Sequence, residues 1–278
     1  MRNILTFDVE DWYQGLEIAP SRWQDYPSRL ETGMDVILEM LSRHATRATF
    51  FVLGIVARAH PALVQRVVAA GHEIGTHGWD HTPVYRQTPD AYRTDLRASL
   101  TELRAASGRP VQGHRAAFFS ITRATPWALG ILAEEGIIYD SSIFPVHNYR
   151  YGVPDAERYP HRVLPQLTEF PISTLRLGGI NVPFSGGFYA RFWPYALLRW
   201  AIRSLNRQGQ PVIAYFHPWE FDPAQPHVGG EVPWLARRTH YYCLASTHRV
   251  LAALLCDFSW TAMGEFTHLH GENQPAPA

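Results

Sequence analysis

Short apolar segments alternate with amphipathic helical patterns along the first half of the chain, and this alternation restricts the fold more than any other feature. Residues 4–7 and 48–54 are mostly apolar, and residues 29–43 between them place large apolar side chains at helical spacing. Parallel strands need a long crossover that a helix normally supplies, so this pattern favours parallel βα units over a sandwich. It also predicts strands at 73–76, 111–115, 137–140, 167–172 and 212–216, and helices at 61–70, 89–106, 125–135 and 193–207.

The composition and charge exclude several classes of function. Of the 278 residues, 25 are basic and 25 acidic, so the formal net charge is zero and no general attraction to nucleic acid is expected. Every basic residue is arginine, which excludes lysine Schiff-base chemistry. No segment reaches the length of a membrane span and no apolar leader precedes Asp8, so we predict a cytoplasmic protein without an integral membrane segment. Cys243 and Cys256 are predicted to be free, buried thiols. The oligomeric state cannot be predicted.

Two histidines four positions apart form a candidate metal-binding pair. His77 and His81 lie in a segment rich in glycine, where one turn or a tight loop would direct both imidazoles the same way. Neutral imidazole nitrogens are common ligands of divalent metals. The chain has 14 histidines, so such a pair also arises by chance, and the pair alone does not establish a metal site.

An acidic cluster follows the first predicted strand. Asp8, Glu10 and Asp11 stand where the carboxyl end of that strand should meet the active face of an α/β barrel. Alternation along a strand places Asp8 and Glu10 on one side, so that one could bind a metal while the other faces its water. A solvated acidic turn is the alternative. Carboxylates after a buried strand are costly without a positive partner, which favours the metal interpretation.

His217 and Arg115 also follow predicted strands. His217 comes directly after residues 212–216 and could be a third nitrogen ligand, a general acid or a core histidine. For an amide substrate the general acid is the favoured role, because amide hydrolysis must protonate an amine leaving group. Arg115 could form an ion pair with a carboxylate of the acidic cluster, the alternative being a surface arginine.

Five motifs together resemble those of NodB-type polysaccharide deacetylases, carbohydrate esterase family 4. They are Thr-Phe-Asp-Val-Glu-Asp at 6–11, His-x-x-x-His at 77–81, Gly-His-Arg at 113–115, Tyr-Asp-Ser-Ser at 139–142 and Phe-His-Pro-Trp-Glu at 216–220. The resemblance extends from about Asn3 to Phe266 and is strongest to the branch associated with exosortase and exopolysaccharide loci, which carries an extra C-terminal segment.

This resemblance implies a fold and a domain organisation. The expected fold is an α/β, distorted (β/α)7 barrel with the C-terminal extension packed on it. A single deacetylase domain is expected at 1–271, with a NodB-like core at about 3–220, a family-specific segment at about 185–266 and a disordered tail at 272–278.

The resemblance also implies an activity, which is the metal-dependent removal of N-acetyl groups from an amino-sugar polysaccharide or its precursor in exopolysaccharide biosynthesis. One divalent ion is expected, usually zinc, with cobalt and nickel as alternatives. The carried-over roles are base for Asp8, orientation of that base for Arg115, general acid for His217, and metal ligands for Glu10, His77 and His81.

The sequence departs from the family pattern at two places. Many members have two adjacent aspartates, whereas Val9 follows Asp8 here, which points to Glu10 as the acidic ligand with Asp11 as the alternative. The third motif continues with two alanines after Arg115 instead of Arg-x-Pro, which affects the pocket shape and the backbone donor expected near Ala117 or Phe118.

Four residues are candidates for contact with an N-acetylated carbohydrate, namely Trp79, Phe118, Asp140 and Trp219. Core packing is the alternative for the aromatic residues, and orientation of a neighbouring side chain is the alternative for Asp140. Two other functions compete with deacetylation. One is hydrolysis of cyclic amides or imides, as in allantoinases of the same superfamily, and the other is glycan binding without catalysis. The presence of Asp8 and His217 favours a catalyst.

Overall fold

The computed structural model describes residues 1–16, 18–148, 151–230 and 232–270, with only the backbone described for 267–270. The predicted disordered tail lies outside these residues. The strands of the described part are β1 (Arg2–Val9), β2 (Thr49–Val52), β3 (Glu73–Thr76), β4 (Gly113–His114), β5 (Tyr139–Asp140), β6 (His161–Leu164), β7 (Leu167–Glu169), β8 (Thr174–Leu177), β9 (Ile180–Pro183), β10 (Ile213–Phe216) and β11 (Ser259–Thr261).

The main sheet has the strand order β10-β1-β2-β3-β4-β5-β7-β6, and β11 pairs with the start of β1. All pairs are parallel except β6 with β7. The fold is therefore α/β with a curled half-barrel sheet, which confirms the predicted parallel class. Each of the seven predicted strands has a counterpart, in β1, β2, β3, β4, β5, β7 and β10. Strands β6 and β11 are additional, and β8 and β9 form a separate hairpin.

Helices connect the strands and cover the sheet. They are α1 (Leu30–Arg43), α2 (Gly54–Ala59), α3 (Pro61–Ala69), α4 (Pro89–Ser107), α5 (Trp127–Glu134), α6 (Gly187–Phe192), α7 (Tyr195–Arg207), α8 (Trp234–Tyr241), α9 (Thr247–Asp257) and α10 (Met263–His270). The ends of α4 show why the sequence predicts such helices well. The Thr88 hydroxyl accepts a hydrogen bond from the Ala91 N–H at its start, and Gly108 ends it with a φ of 64°.

The core lies on both faces of β1, as expected for a strand inside a parallel sheet. Seven of its eight residues are buried. The Phe7 ring stacks on Phe50 with ring centroids 5.0 Å apart and also contacts Phe216 on β10. Burying each phenylalanine stabilises the fold by about 2–3 kcal/mol, so these contacts hold β1 between β2 and β10, and the carboxyl ends of β1 and β10 carry candidate site residues.

Two predictions about the rest of the chain can be compared with the structure. Cys243 and Cys256 are free, as predicted, but both are exposed, so their predicted burial is wrong. Cys256 lies near the end of α9, whose buried positions are taken by Leu251, Leu254 and Leu255. Within the described part of the chain, no helix combines the length and apolar character that crossing a bilayer requires.

Candidate metal and catalytic site

The predicted catalytic and metal-binding residues meet at the carboxyl ends of the parallel strands. Asp8 lies near the end of β1, and His77, Arg115 and His217 each directly follow a strand, namely β3, β4 and β10. Because these strands run in parallel, their ends meet at one edge of the sheet.

Glu10, His77 and His81 form a cluster suited to a divalent metal. Each offers one ligand atom, the three atoms lie within 4.8 Å of one another, and all three residues are buried. The Nδ1 of His77 lies 2.8 Å from the Arg115 carbonyl oxygen, so an Nδ1–H donates there and Nε2 remains for a metal. Glu10 Oε2 lies 2.7 Å from His81 Nε2 yet has no hydrogen-bond partner of suitable geometry. Two imidazole nitrogens and one carboxylate, which has an unsatisfied buried oxygen, form a ligand set that fits a divalent cation.

The charges in this cluster also suit a cation. Burial opposes ionisation of Glu10, but the imidazoles of His81, His217 and His77 lower its pKa overall. Burial lowers the pKa of His77 to about 4, which keeps its imidazole neutral, as a metal ligand must be. Burial also acts to lower the pKa of His81, but the Glu10 carboxylate outweighs it and raises the pKa. A cation bound there would be favoured by the Glu10 carboxylate and would compete with protonation of His81.

Asp11, the alternative acidic ligand, has another partner. Both of its carboxylate oxygens accept a hydrogen bond from the Arg29 N–H at 3.2 Å, and Oδ1 also accepts from the Trp12 N–H at 3.0 Å. Burial raises the pKa of Asp11. The structure therefore brings Glu10, and not Asp11, to the two histidines.

Asp8 forms the ion pair with Arg115 that the sequence analysis anticipated. Arg115 Nη1 lies 2.7 Å from Asp8 Oδ1, and both side chains are almost completely buried. Arg115 also donates to the Thr6 hydroxyl and to the hydroxyl and carbonyl oxygens of Ser141. The guanidinium lies over the Phe51 ring, 4.4 Å from its centroid. Arg115 is thus fixed from several sides, and it holds the Asp8 carboxylate in one orientation.

His217 lies beside the cluster and has a buried carboxylate partner. Its Nε2 is 3.8 Å from Glu10 Oε1, while its Nδ1 is 2.7 Å from Glu220 Oε1. An Nδ1–H therefore donates to Glu220, and Nε2 faces the cluster. Burial lowers the pKa of His217.

Glu220 is held in turn by Arg191 of α6, and this pair was not predicted. The two side chains form an ion pair with almost no exposed surface, and Arg191 Nε donates to the Tyr242 carbonyl at 2.8 Å. Burial lowers the pKa of Arg191 to about 10, so it stays cationic at neutral pH. A Cβ at Gly187 would lie 2.0 Å from a Glu220 oxygen, so only glycine allows this approach. The sequence offered one signal for Glu220, which stands three residues after His217 in the fifth motif. Arg191 lies outside all five motifs, so no sequence signal pointed to it.

The four candidate substrate contacts have different surroundings. Trp219 donates from its indole nitrogen to Glu10 Oε1 at 3.1 Å and stacks with the imidazoles of His217 and His240. The Phe118 ring lies 4.3 Å from that of His81. Both residues therefore border the cluster.

Trp79 and Asp140 lie elsewhere. Trp79 lies under the Arg58 guanidinium, 4.8 Å from its ring centroid. Asp140 has no exposed surface, so its surroundings favour the alternative role of orienting a neighbouring side chain over contact with a substrate. Its Oδ1 lies 2.7 Å from His114 Nδ1 and accepts a hydrogen bond from the Ser142 hydroxyl at 2.6 Å. Beside it, Glu169 is buried, and this burial together with the Asp140 charge raises the pKa of Glu169 well above its usual value.

Comparison with known proteins agrees with this geometry. Residues 4–133 match the family model Polysaccharide deacetylase, and residues 141–268 match a domain of unknown function, DUF3473. The N-terminal half of the chain is therefore similar to polysaccharide deacetylases, and the C-terminal half to a domain whose function is not established.

Curated relatives match over shorter stretches. The peptidoglycan-N-acetylglucosamine deacetylase PgdA of Listeria monocytogenes is 42% identical over 62 residues, which cover 22% of this chain and 13% of that protein. A chitooligosaccharide deacetylase of Rhizobium leguminosarum is 32% identical over 125 residues, or 45% of this chain and 53% of that one. The chain thus spans about half or less of the length of these two relatives.

Solved structures match over nearly the whole chain. A Mycobacterium smegmatis protein provisionally assigned as a polysaccharide deacetylase superposes with a TM-score of 0.62 at 21% identity, covering 99% of this chain and 93% of that one. The Puue allantoinase gives the same TM-score at 15% identity, covering 99% and 91%. At these identities the likeness establishes the fold alone.

Proposed function

We propose that this protein hydrolyses N-acetyl groups on an amino-sugar polysaccharide or its precursor and releases acetate. The observation that carries the proposal is the meeting of Glu10, His77 and His81 in one buried cluster, with Asp8 and His217 beside it. The match of residues 4–133 to the deacetylase family and the names of the curated relatives support the same chemistry.

Each residue of the site has a distinct role in this proposal. A divalent ion held by Glu10, His77 and His81 would supply Lewis-acid activation of water and of the acetamide carbonyl. Asp8, oriented by its ion pair with Arg115, accepts the proton of the attacking water. In its imidazolium form, His217 protonates the departing sugar amine from Nε2 and returns to the neutral ring, in which Nδ1–H still donates to Glu220.

We further infer zinc as the metal, since two imidazoles and one carboxylate form a ligand set that zinc commonly accepts, with cobalt or nickel as alternatives. A role in exopolysaccharide biosynthesis and a cytoplasmic location complete the proposal. The role rests on the motif resemblance, and the location is the expectation stated from the sequence. In that location, the substrate would be an N-acetylated precursor of the polysaccharide.

Acetate release from N-acetylchitotetraose by the metal-reconstituted protein tests the activity. Asp8→Asn should keep one metal per chain and lose at least about a hundredfold in turnover, because it removes the base but no metal ligand. His77→Ala should lose both metal and activity. Glu39→Gln, at an exposed position on α1, is the matched control and should behave like wild type. Near-native turnover by Asp8→Asn, or a reconstituted protein without metal, contradicts the proposal.

The same assay separates the competing functions. Hydrolysis of allantoin without hydrolysis of the acetylated tetrasaccharide would assign the site to cyclic amides. Binding of the tetrasaccharide without acetate release, even after metal addition, would indicate a glycan-binding protein.

A further inference from the structure

We propose that a surface rich in arginine and exposed apolar side chains, formed by the β8–β9 hairpin and α7, binds an anionic phospholipid bilayer. Residues 170–219 supply this surface, and they include five arginines but no aspartate, glutamate or lysine. Such a concentration of exposed apolar side chains indicates an interaction surface. Of the ten large apolar side chains that are exposed among the described residues, five lie in this segment, namely Leu177, Ile180, Phe192, Leu197 and Trp200.

The tip of the hairpin projects two apolar side chains into solvent. Leu177 and Ile180 are paired in register and joined by Gly178 and Gly179, whose φ values of 53° and 85° form a two-residue turn. Paired residues share one face of a hairpin, so the two apolar side chains lie side by side. Leu175, on the same face two residues earlier, is buried in the core, whereas Leu177 is 43% and Ile180 63% exposed. The apolar face of the hairpin therefore extends beyond the core.

The outer face of α7 carries an aromatic ring and two arginines. Trp200, Arg203 and Arg207 follow one another at spacings of three and four residues, so they share one face of the helix, and all three are exposed. The opposite face is buried through Leu198 and Leu205 among others. Two positive charges and one large ring are thus available to a partner outside the protein.

Hydrogen bonds join the base of the hairpin to the end of α7. The Arg158 guanidinium donates to the hydroxyl and carbonyl oxygens of Thr174, where β8 begins, at 3.2 and 2.6 Å. The next residue, Tyr159, donates from its hydroxyl to the Gln208 side chain, directly after α7, at 3.1 Å. The hairpin and the arginine-bearing end of α7 are therefore neighbours.

The hairpin begins far from the catalytic cluster. The Ile213 N–H, at the start of β10, donates to the Ser173 hydroxyl at 2.9 Å, so the hairpin begins beside the amino end of that strand. His217 follows the opposite, carboxyl end of β10. Binding of a bilayer at this surface therefore does not depend on the proposed function.

An anionic bilayer matches both the charge and the shape of the surface. Apolar side chains and tryptophan rings gain free energy when they enter the boundary between headgroups and acyl chains, while nearby arginines are attracted to the lipid phosphates. An acidic protein would match the arginines but would need a dedicated pocket for the protruding Leu177 and Ile180. The acyl region of a bilayer accepts any apolar projection, so we favour the bilayer.

The test measures co-sedimentation of the full chain with vesicles. One set contains equal parts of phosphatidylglycerol and phosphatidylcholine, and the other contains phosphatidylcholine alone. Leu177→Ser/Ile180→Ser removes the apolar tip, and Arg203→Gln/Arg207→Gln removes the two charges. Arg104→Gln/Arg109→Gln is the matched control, because it removes the same charge from exposed positions at the end of α4 and just after it. Thermal melts verify that each variant is folded.

We expect the wild type to bind the anionic vesicles and not the neutral ones. The arginine variant should lower the partition coefficient about thirtyfold, and the tip variant about tenfold, whereas the control should stay within about twofold of wild type. Raising the salt from about 0.1 M to about 0.5 M should weaken binding of the wild type, because it screens the arginines.

Three results would overturn the inference. The first is a wild type that does not bind anionic vesicles, and the second is a control variant that loses as much binding as the other two. The third is a different partner, shown by equally strong binding to polyglutamate, as an acidic protein would give, or by a dimer that the tip variant dissociates and that binds no vesicles.

Discussion

Replacing Arg191 should destabilise the protein and impair turnover by two separable routes. Arg191→Met keeps most of the buried volume but leaves the Glu220 carboxylate, which has almost no exposed surface, without its cationic partner. Removing one member of a buried ion pair typically costs about 3–5 kcal/mol, because the remaining charge is neither solvated nor paired. Turnover should also fall, since an unpaired Glu220 no longer orients His217 as a proton donor.

A second substitution separates the two effects. In the double variant Arg191→Met/Glu220→Gln no buried charge remains at this pair, and the amide oxygen introduced by the second substitution can still accept the His217 Nδ1–H. Most of the lost free energy of unfolding should return, but turnover should stay at least about tenfold below wild type, because an amide does not stabilise the imidazolium as a carboxylate does. Urea denaturation and acetate release measure the two quantities.

A surface ion pair serves as the control for the variants of Arg191 and Glu220. Arg199 and Asp257 form a pair at 2.9 Å with both side chains partly exposed, so Arg199→Met should cost less than about 1 kcal/mol and leave turnover unchanged. The reasoning is refuted if Arg191→Met is as stable as this control, or if the double variant recovers full turnover together with its stability.

Three further predictions concern packing, pH and metal. Gly187→Ala should cost about 1–3 kcal/mol in urea denaturation and reduce acetate release, because its Cβ would overlap the Glu220 carboxylate, whereas Gly229→Ala, where nothing lies within 4 Å, should do neither. Burial raises the pKa of Asp95 to about 7, so folding retains a proton that the unfolded chain releases, and stability is lost as the pH rises from about 4 to about 7. Asp95→Asn should therefore melt at a higher temperature than wild type at pH 8, with a smaller difference at pH 4; an equal gain at both pH values would contradict this. Zinc at a hundredfold excess over its Kd should stabilise wild type by about 2.7 kcal/mol but should not stabilise His77→Ala in thermal melts, and equal shifts would place the ion elsewhere.

The parallel sheet and the meeting of Glu10, His77 and His81 could be predicted from local sequence patterns together with the geometry of parallel strands. The helix now seen as α1 was predicted to within one residue at its start, since one face of it is continuously apolar. Glu10, His77 and His81 were predicted to converge because residues after parallel strands share one edge of the sheet. In both cases the relevant information lies within a few residues of the chain.

The remaining features depend on contacts between distant segments. Arg191 and Glu220 are 29 positions apart, and nothing in the spacing of charges identifies their pairing. For Asp140, at a strand end, the sequence left two roles open, contact with the substrate and orientation of a neighbouring side chain. Packing of His114 and Glu169 against it encloses it completely. Sequence position indicates which edge of the sheet a side chain occupies, but not whether another segment covers it.

The position of β1 has a consequence for any shortened version of this chain. Its neighbours β10 and β11 come from the last quarter of the sequence, more than 200 residues away. A chain ending before β10 would leave the buried, apolar first strand with an open flank of unpaired backbone groups, which favours intermolecular pairing. The N-terminal half expressed alone should therefore accumulate as aggregates, and the full chain should fold slowly, because its first strand is completed last.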